Sequence, residues 1–408
     1  MLPGLIEAGT PLYDLSKGDP FRDAYHGGIV EVYRPHLKGA GYYYDVNSLY
    51  PTAMCRPMPV GKPELINLTE GGISDFFGYV WARVRAPENL YVGLLPIKHQ
   101  GRLLCPGGTL SGFFFSEELK FALANGYTIL EIGQAWRFAK GAKTFKDLIL
   151  RLNQMKVEAQ LSGEPVRRSI AKLMMNSLYG RFGMHPEEGI AAFVTQGELN
   201  DLIEAHTIVS EKKIGELYLI EYLPKAPDGV KKTGSKPAKT RNSRPMGTNV
   251  PLAAAVTAYS RMIINGYKLV ALKQGLNLYY SDTDSLVVDG LMPDHLVDKA
   301  ELGKLKLEHR ISEGYFVAPK IYWFLDADTG QPITACKGYP GDLRKEEIMA
   351  LYNGNTIHLK VERWLRSLKD QTVSIEKYRD YAIHPLFNKR DKISDPQGRW
   401  INTKALIL

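Results

Sequence analysis

Two aspartates one residue apart, Asp282 and Asp284, lie between two apolar, β-favouring runs in the stretch Leu278-Tyr279-Tyr280-Ser281-Asp282-Thr283-Asp284-Ser285-Leu286-Val287-Val288. That pattern predicts a β-hairpin with an acidic apex. Residues two apart on a strand share a face, and carboxylates that close repel each other unless a cation lies between them. The segment is therefore a metal-binding apex or an aspartate-rich turn, since Asp is a common turn former. A third carboxylate bears on the choice. Asp45 ends the aromatic run Gly41-Tyr42-Tyr43-Tyr44, and the residues from Ser48 to Met54 can open a short helix. Asp45 is thus expected at the carboxyl end of a strand. Facing the hairpin apex, it would complete the carboxylate set with which a two-metal phosphoryl-transfer site holds hard divalent ions about 3.5–4 Å apart. A third segment suits the other reactant. Arg168, Lys172 and Asn176 recur every four residues and share one face of a helix, and two cations and an amide in a row suit a triphosphate.

The residues around these groups form three patterns: DxxSLYP from Asp45 to Pro51, KxxxNSxYG from Lys172 to Gly180, and YxDTDS from Tyr280 to Ser285. All three are complete. In this order the chain resembles the family B DNA polymerases, and most closely their protein-primed branch, found in some bacteriophages, adenoviruses and linear mitochondrial plasmids. The resemblance runs from about Tyr25 to about residue 385. It implies an α/β (α+β) right-hand fold with palm, fingers and small thumb, plus two insertions, and the transfer of dNMP to a 3′-hydroxyl. It also implies that Asp45 and Asp284, with Asp282 assisting and Val46 beside them, hold two Mg²⁺ ions, for which Mn²⁺ can stand in. Lys172 and Arg168 would hold the β- and γ-phosphates, with Lys172 as proton donor to the pyrophosphate. The backbone from Val46 through Ser48 and Leu49 would hold the triphosphate as well. Tyr50 matches the position that excludes a 2′-hydroxyl, or else is a core tyrosine, and Asn176 and Tyr179 would line the nascent pair. Lys156 matches a second triphosphate cation, with a solvated surface lysine as the competing account.

Further matches point to DNA. In Tyr25-His26-Gly27-Gly28, a plain turn by itself, the resemblance places Tyr25, Gly27 and Gly28 on the template. In Pro319-Lys320-Ile321-Tyr322 it places Lys320 and Tyr322 on the primer end, with Lys337 on the same surface. The stretch from Lys231 to Arg244, with Lys231, Lys232 and Lys236 among its six cations and no acid, is either a loop tip or an arm that touches duplex phosphates. The partners implied are primer-template DNA, dNTPs and a terminal protein acting as primer. A conventionally primed polymerase is the alternative, and an inactive scaffold or a metal nuclease the remote ones.

The elements that must carry these groups divide the chain as follows. Residues 1–24 are expected as a linker, 25–57 as palm, 58–140 as a first insertion with palm elements and 141–180 as fingers. Residues 181–248 are expected as a second insertion, 249–340 as palm and 341–385 as thumb, with 386–408 unassigned. With 24 residues before the YxGG segment, no exonuclease and no proofreading are expected. The 408 residues are 44% hydrophobic and 24% charged, which permits a sizeable core in two or three lobes. The formal charge of +8 suits a phosphate backbone, though a generic basic surface would give the same sum. Cys55, Cys105 and Cys336 lack zinc-like spacing and read as reduced thiols. No run is long enough to span a membrane and no signal peptide is seen, so an intracellular protein is expected.

Overall fold

The computed structural model describes residues 20–183, 190–224, 248–339, 341–367 and 372–408. A seven-stranded sheet lies at its centre, in the order Val30–Val32, Leu278–Asp282, Ser285–Val288, His36–Val46, Leu305–Ala318, Ile321–Asp326 and Pro332–Cys336. All neighbours pair antiparallel. The tyrosine-rich strand sits in the middle because both of its faces are covered. Tyr44 and Val46 enter one core cluster with Leu286 and Val288, while Tyr43 packs on the opposite side with Tyr280, Val287 and Phe324. Alternation at period two then reads as a nearly continuous apolar run.

The apolar stretch after residue 249 forms one helix, Val250–Lys273, which Asn249 caps by accepting a hydrogen bond from Leu252 N–H. It is buried on almost every side, because it lies between the central sheet and a second sheet of four strands. The second sheet runs in the order Met58–Ile66, Thr128–Gly141, Gly78–Arg85 and Thr109–Phe115. It lies in the interval expected to hold a first insertion, and it shares its core with the central sheet: Val80, Ala82 and Phe114 belong to the same cluster as Tyr44 and Leu286.

Two antiparallel helices, Lys146–Leu161 and Pro165–Gly183, are joined by a turn in which Gly163 takes φ +68°, a conformation open to glycine at little cost. The next described segment is a three-stranded sheet, in the order His206–Ile214, Leu217–Pro224 and Ile190–Val194, with the helix Gln196–Ala205. This sheet lies in the interval expected to hold a second insertion. Lys231, Lys232 and Lys236 lie outside the described residues. After the central sheet come a short helix, Lys345–Tyr352, and a long hairpin of Ile357–Ser367 and Thr372–Ile383.

Both ends of the described chain differ from expectation. Residues 20–24, expected as linker, form a helix whose Phe21 is 1% exposed and meets Tyr79, Trp136 and Phe138 edge-on. Residues 386–408, unassigned from sequence, contain a hairpin of Arg390–Ser394 and Trp400–Ala405. The hairpin is fastened by a buried ion cluster. Arg390 reaches Glu31 at 3.4 Å, donates to Thr403 Oγ1 at 2.8 Å and lies over the Tyr33 ring. Tyr33 donates to Glu31, and Lys268 stands 3.9 Å from the same carboxylate. No helix among the described residues is long and apolar enough to cross a membrane.

Candidate active site

Register places the carboxylates. Asp45 lies opposite Ser285 on one neighbouring strand and Lys306 on the other, so the end of the tyrosine-rich strand meets the hairpin apex. Val46 N–H donates to the Asp284 carbonyl at 2.8 Å and fixes that meeting. The apex is tight: Thr283 takes φ +57°, which turns Asp284 away from Asp282. Asp45 and Asp284 line a cavity of about 510 Å³, together with Val46, Ser48, Leu49 and Tyr50. Asp282 does not line it. Its carboxylate is held by Lys320 Nζ at 2.6 Å and accepts from the Thr283 hydroxyl at 3.2 Å. Among the described residues no three His, Cys, Asp or Glu side chains converge on one point. The three predicted carboxylates thus divide into two that face the cavity and one that is neutralised beside it.

The opposite wall is the helical pair. Arg168, Lys172 and Asn176 line the cavity, as the four-residue spacing predicts, and Tyr179 lines it with them. Lys156 comes from the other helix and donates to Ser48 Oγ at 3.2 Å, so it is a cavity residue and not a solvated surface lysine. Tyr50 stacks on Tyr179 with ring centroids 4.2 Å apart, joining the strand-to-helix turn to the helical wall. Among the described residues none of Asp45, Asp284, Lys156, Arg168 and Lys172 forms an ion pair. Burial, then the neighbouring Asp284 and Glu308 carboxylates, push Asp45 up to about 7, against the opposing pull of Lys306 and Lys172. Asp284 is raised as well, by burial and by Asp282. Lys156 is lowered, by burial and by the charges of Arg168 and Lys172. Carboxylates that repel one another and cations that repel one another face a single cavity, and a divalent cation carried by a polyphosphate anion meets both needs. Carboxylate oxygens are the hard donors that Mg²⁺ takes.

The YxGG segment lies against the apex. Thr283 N–H donates to the Ile29 carbonyl at 3.0 Å, and a side chain on Gly28 would meet Thr283 at 2.5 Å, so the second glycine is required for the contact. Gly27 has open space around it. Tyr25 lies at the end of the helical pair, where a side chain on Gly183 would strike its ring. The carbonyls of His26 and Gly27 both accept from the Arg261 guanidinium, which is itself held by a fully buried Glu118 at 2.7 Å. On the other side of the apex Tyr322 packs against Tyr280, with centroids 5.3 Å apart, and Lys337 N–H donates to the Lys320 carbonyl at 2.9 Å. Lys320 and Tyr322 thus lie beside Asp282, and Lys337 is joined to Lys320 through its backbone.

Three charged residues that sequence reasoning did not select also line the cavity: Glu308, Lys306 and Lys299. Lys306 and Glu308 alternate with the inward Leu305 and Leu307 and read as an ordinary surface strand. Arg261, on the long helix, is a further functional candidate, since it holds two carbonyls of the YxGG segment.

The profile of a family described as DNA polymerase type B, organellar and viral, matches residues 13–265. A protein of Podospora anserina named a probable DNA polymerase is 35% identical over 408 residues, which cover 94% of this chain and 33% of that protein. A DNA polymerase of Bacillus phage phi29 is 25% identical over 341 residues, covering 76% of this chain and 50% of that one. The chain thus spans about a third of its fungal relatives, as a second such protein, of Ascobolus immersus, also indicates at 33% identity and 31% of its length. Among solved structures, phi29 DNA polymerase complexed with primer-template DNA and incoming nucleotide has the same fold over 90% of this chain and 62% of its own, with a TM-score of 0.64 at 20% identity. With that profile spanning more than half of its residues, the chain belongs to the family of organellar and viral type B DNA polymerases.

Proposed function

We propose that this chain is the polymerising part of a template-directed DNA polymerase, which adds dNMP to a 3′-hydroxyl. The observation that carries the reading is the double charge deficit of the cavity, with Asp45 and Asp284 on one wall and Lys156, Arg168 and Lys172 on the other. Asp45 and Asp284, next to Val46, would hold Mg²⁺ ions, or Mn²⁺ in their place, which would supply positive charge for the attacking hydroxyl and the leaving pyrophosphate. Lys172 and Arg168 hold the β- and γ-phosphates, and Lys172 gives a proton to the departing pyrophosphate. Tyr50 lies under the sugar and leaves no room for a 2′-hydroxyl, while Asn176 and Tyr179 border the nascent pair. Asp282 lies beside the ions and modulates the site through Lys320. Tyr25, Gly27 and Gly28 contact the template, and Lys320, Tyr322 and Lys337 the primer strand.

In this reading the central sheet with its long helix is the palm, the helical pair the fingers and the hairpin of residues 357–383 the thumb. The interval 181–248 is an arm on the duplex, with Lys231, Lys232 and Lys236 on phosphates, and the protein acts inside a cell. Initiation uses a hydroxyl of a terminal protein, a reading that the family membership favours. The test is primer extension with Mg²⁺, with and without a candidate terminal protein. Template-dependent lengthening supports polymerisation, and shortening of the labelled strand would mean a nuclease. Transfer of labelled dNMP to the partner supports protein priming; its absence alongside efficient extension of DNA primers would leave a conventionally primed enzyme.

A further inference from the structure

A second cavity, of about 410 Å³, opens where the start of the tyrosine-rich strand meets the helix Lys345–Tyr352 and the C-terminal hairpin. His36 begins the strand that ends beyond Asp45. At roughly 3.3 Å per residue that is about 30 Å away, so a ligand here is not the nucleotide being incorporated. The volume falls within the roughly 300–1,000 Å³ of small-molecule sites.

One wall is cationic and incompletely satisfied. Arg34 and Lys38 line it, and among the described residues neither pairs with a carboxylate. Arg34 Nε is buried without a hydrogen-bond partner. His36 Nε2 is also buried and unpartnered; it stands 3.8 Å from Glu313, too far for a hydrogen bond. The acids nearby are already engaged. Glu313 takes Lys345 Nζ at 2.5 Å and the Tyr315 hydroxyl at 3.2 Å, and Asp395 takes Arg399 Nε at 2.7 Å and the N–H groups of Gln397 and Arg399. Positive charge is therefore left over on this wall, and buried polar atoms without partners are rare enough to call for one. The other wall is aromatic and apolar. His36 stacks on Tyr315 with centroids 4.2 Å apart, Tyr352 stands edge-on to it at 6.0 Å, and Met349 is 38% exposed beside them. Burial keeps the His36 imidazole below its ordinary range, so it is neutral at pH 7 and can both donate and accept.

Surplus positive charge beside an aromatic wall, with a neutral imidazole between, matches one chemical class. We infer that this cavity is a second nucleotide site, which takes a nucleoside monophosphate unit, either free or within a single strand. The phosphate lies on Arg34 and Lys38, the base against Tyr352 and Met349, and a sugar or base-edge group on His36.

The test is photolabelling of the full chain with 8-azido-dAMP, followed by peptide mapping. Label is expected on the peptide that contains Lys345–Tyr352 or on the turn from Asp395 to Ile401. The double variant R34Q/K38Q should lose at least tenfold of that label while extending a primer as the wild type does. Met349→Trp, which fills the cavity without touching the charges, should lose it equally; should the double variant fold poorly, this variant decides. Unlabelled dTMP and an unlabelled dT oligonucleotide distinguish the sources. Displacement by the oligonucleotide at a lower nucleotide concentration identifies a strand, and displacement by dTMP alone a free nucleotide. Absence of label from both peptides, or label unchanged in a folded variant, overturns the inference.

Discussion

Two acidic clusters lie on the central sheet, on strands separated by the two strands of the acidic hairpin, and behave oppositely. Glu31 pairs across with Ser281, the residue before Asp282, and is wholly buried. Burial is the largest influence on both Glu31 and Asp45, and in both it favours the protonated acid. At Glu31 the charges of Arg390 and Lys268 and the Tyr33 hydroxyl outweigh it and hold the carboxyl below its ordinary range. At Asp45 the Asp284 and Glu308 charges add to burial and outweigh Lys306 and Lys172, and the carboxyl rises to about 7. Counter-charge, not depth, sets the sign. The first cluster is complete and fastens the C-terminal hairpin to the central sheet. The second is incomplete, and in the proposed function the missing charge would come from a substrate-borne cation.

The largest effect should come from removing a cavity carboxylate. Asp45→Asn or Asp284→Asn should lower single-nucleotide incorporation on the order of a thousandfold or more, without loss of melting temperature, because among the described residues neither carboxylate forms an ion pair that would be lost. A variant that loses folding instead would erase the contrast between the clusters. Arg390→Met tests the other side. It strands Glu31 and should cost about 3–5 kcal/mol in urea unfolding, and a cost below about 1 kcal/mol would show that the cluster does not hold the hairpin.

Smaller effects sharpen the contrast. Tyr50→Val opens the space beside Tyr179 and should improve ribonucleotide use by about 10–200-fold, the range for one small group in a pocket; unchanged discrimination would remove Tyr50 from sugar selection. His26 gives a pH test. Burial, then the Arg261 and Lys98 charges, lower its pKa to about 3. The folded chain therefore binds fewer protons there than the unfolded one, and this stability is full above about pH 6.5 and lost as pH falls towards 3. His26→Asn should flatten the acid limb by up to about 1.4 kcal/mol per pH unit, and an unaltered slope in urea titrations between pH 6 and 4 would exclude His26 as its source.

Where short-range spacing suffices, the sequence alone carries the site. Asp45, Arg168, Lys172, Asn176 and Asp284 follow from the end of an aromatic run, a four-residue repeat and an acidic turn, and the structure gathers all five at one cavity. The division of Asp282 from Asp284 was not legible, since it depends on the φ of Thr283 and on Lys320, 38 residues away. Nor was the Arg390 cluster, because its partner Glu31 lies 359 residues distant and a lone arginine near a chain end reads as surface. The helix Pro20–Ala24 is too short to show a period, and Phe21 meets its ring partners Tyr79, Trp136 and Phe138 on the second sheet. Glu308 was hidden by ordinary strand alternation. In each case the determining contact is long-range, and local pattern has no access to it.

The central claim, that Asp45 and Asp284 are held short of charge in order to receive a divalent cation, is tested most directly by titrating Mn²⁺ into the folded chain and into Asp45→Asn and Asp284→Asn by calorimetry at pH 7. The account predicts saturable binding to the wild type, with proton release that scales with buffer ionisation enthalpy, and at least a tenfold weakening in each variant. Equal Mn²⁺ affinity in all three proteins would contradict it.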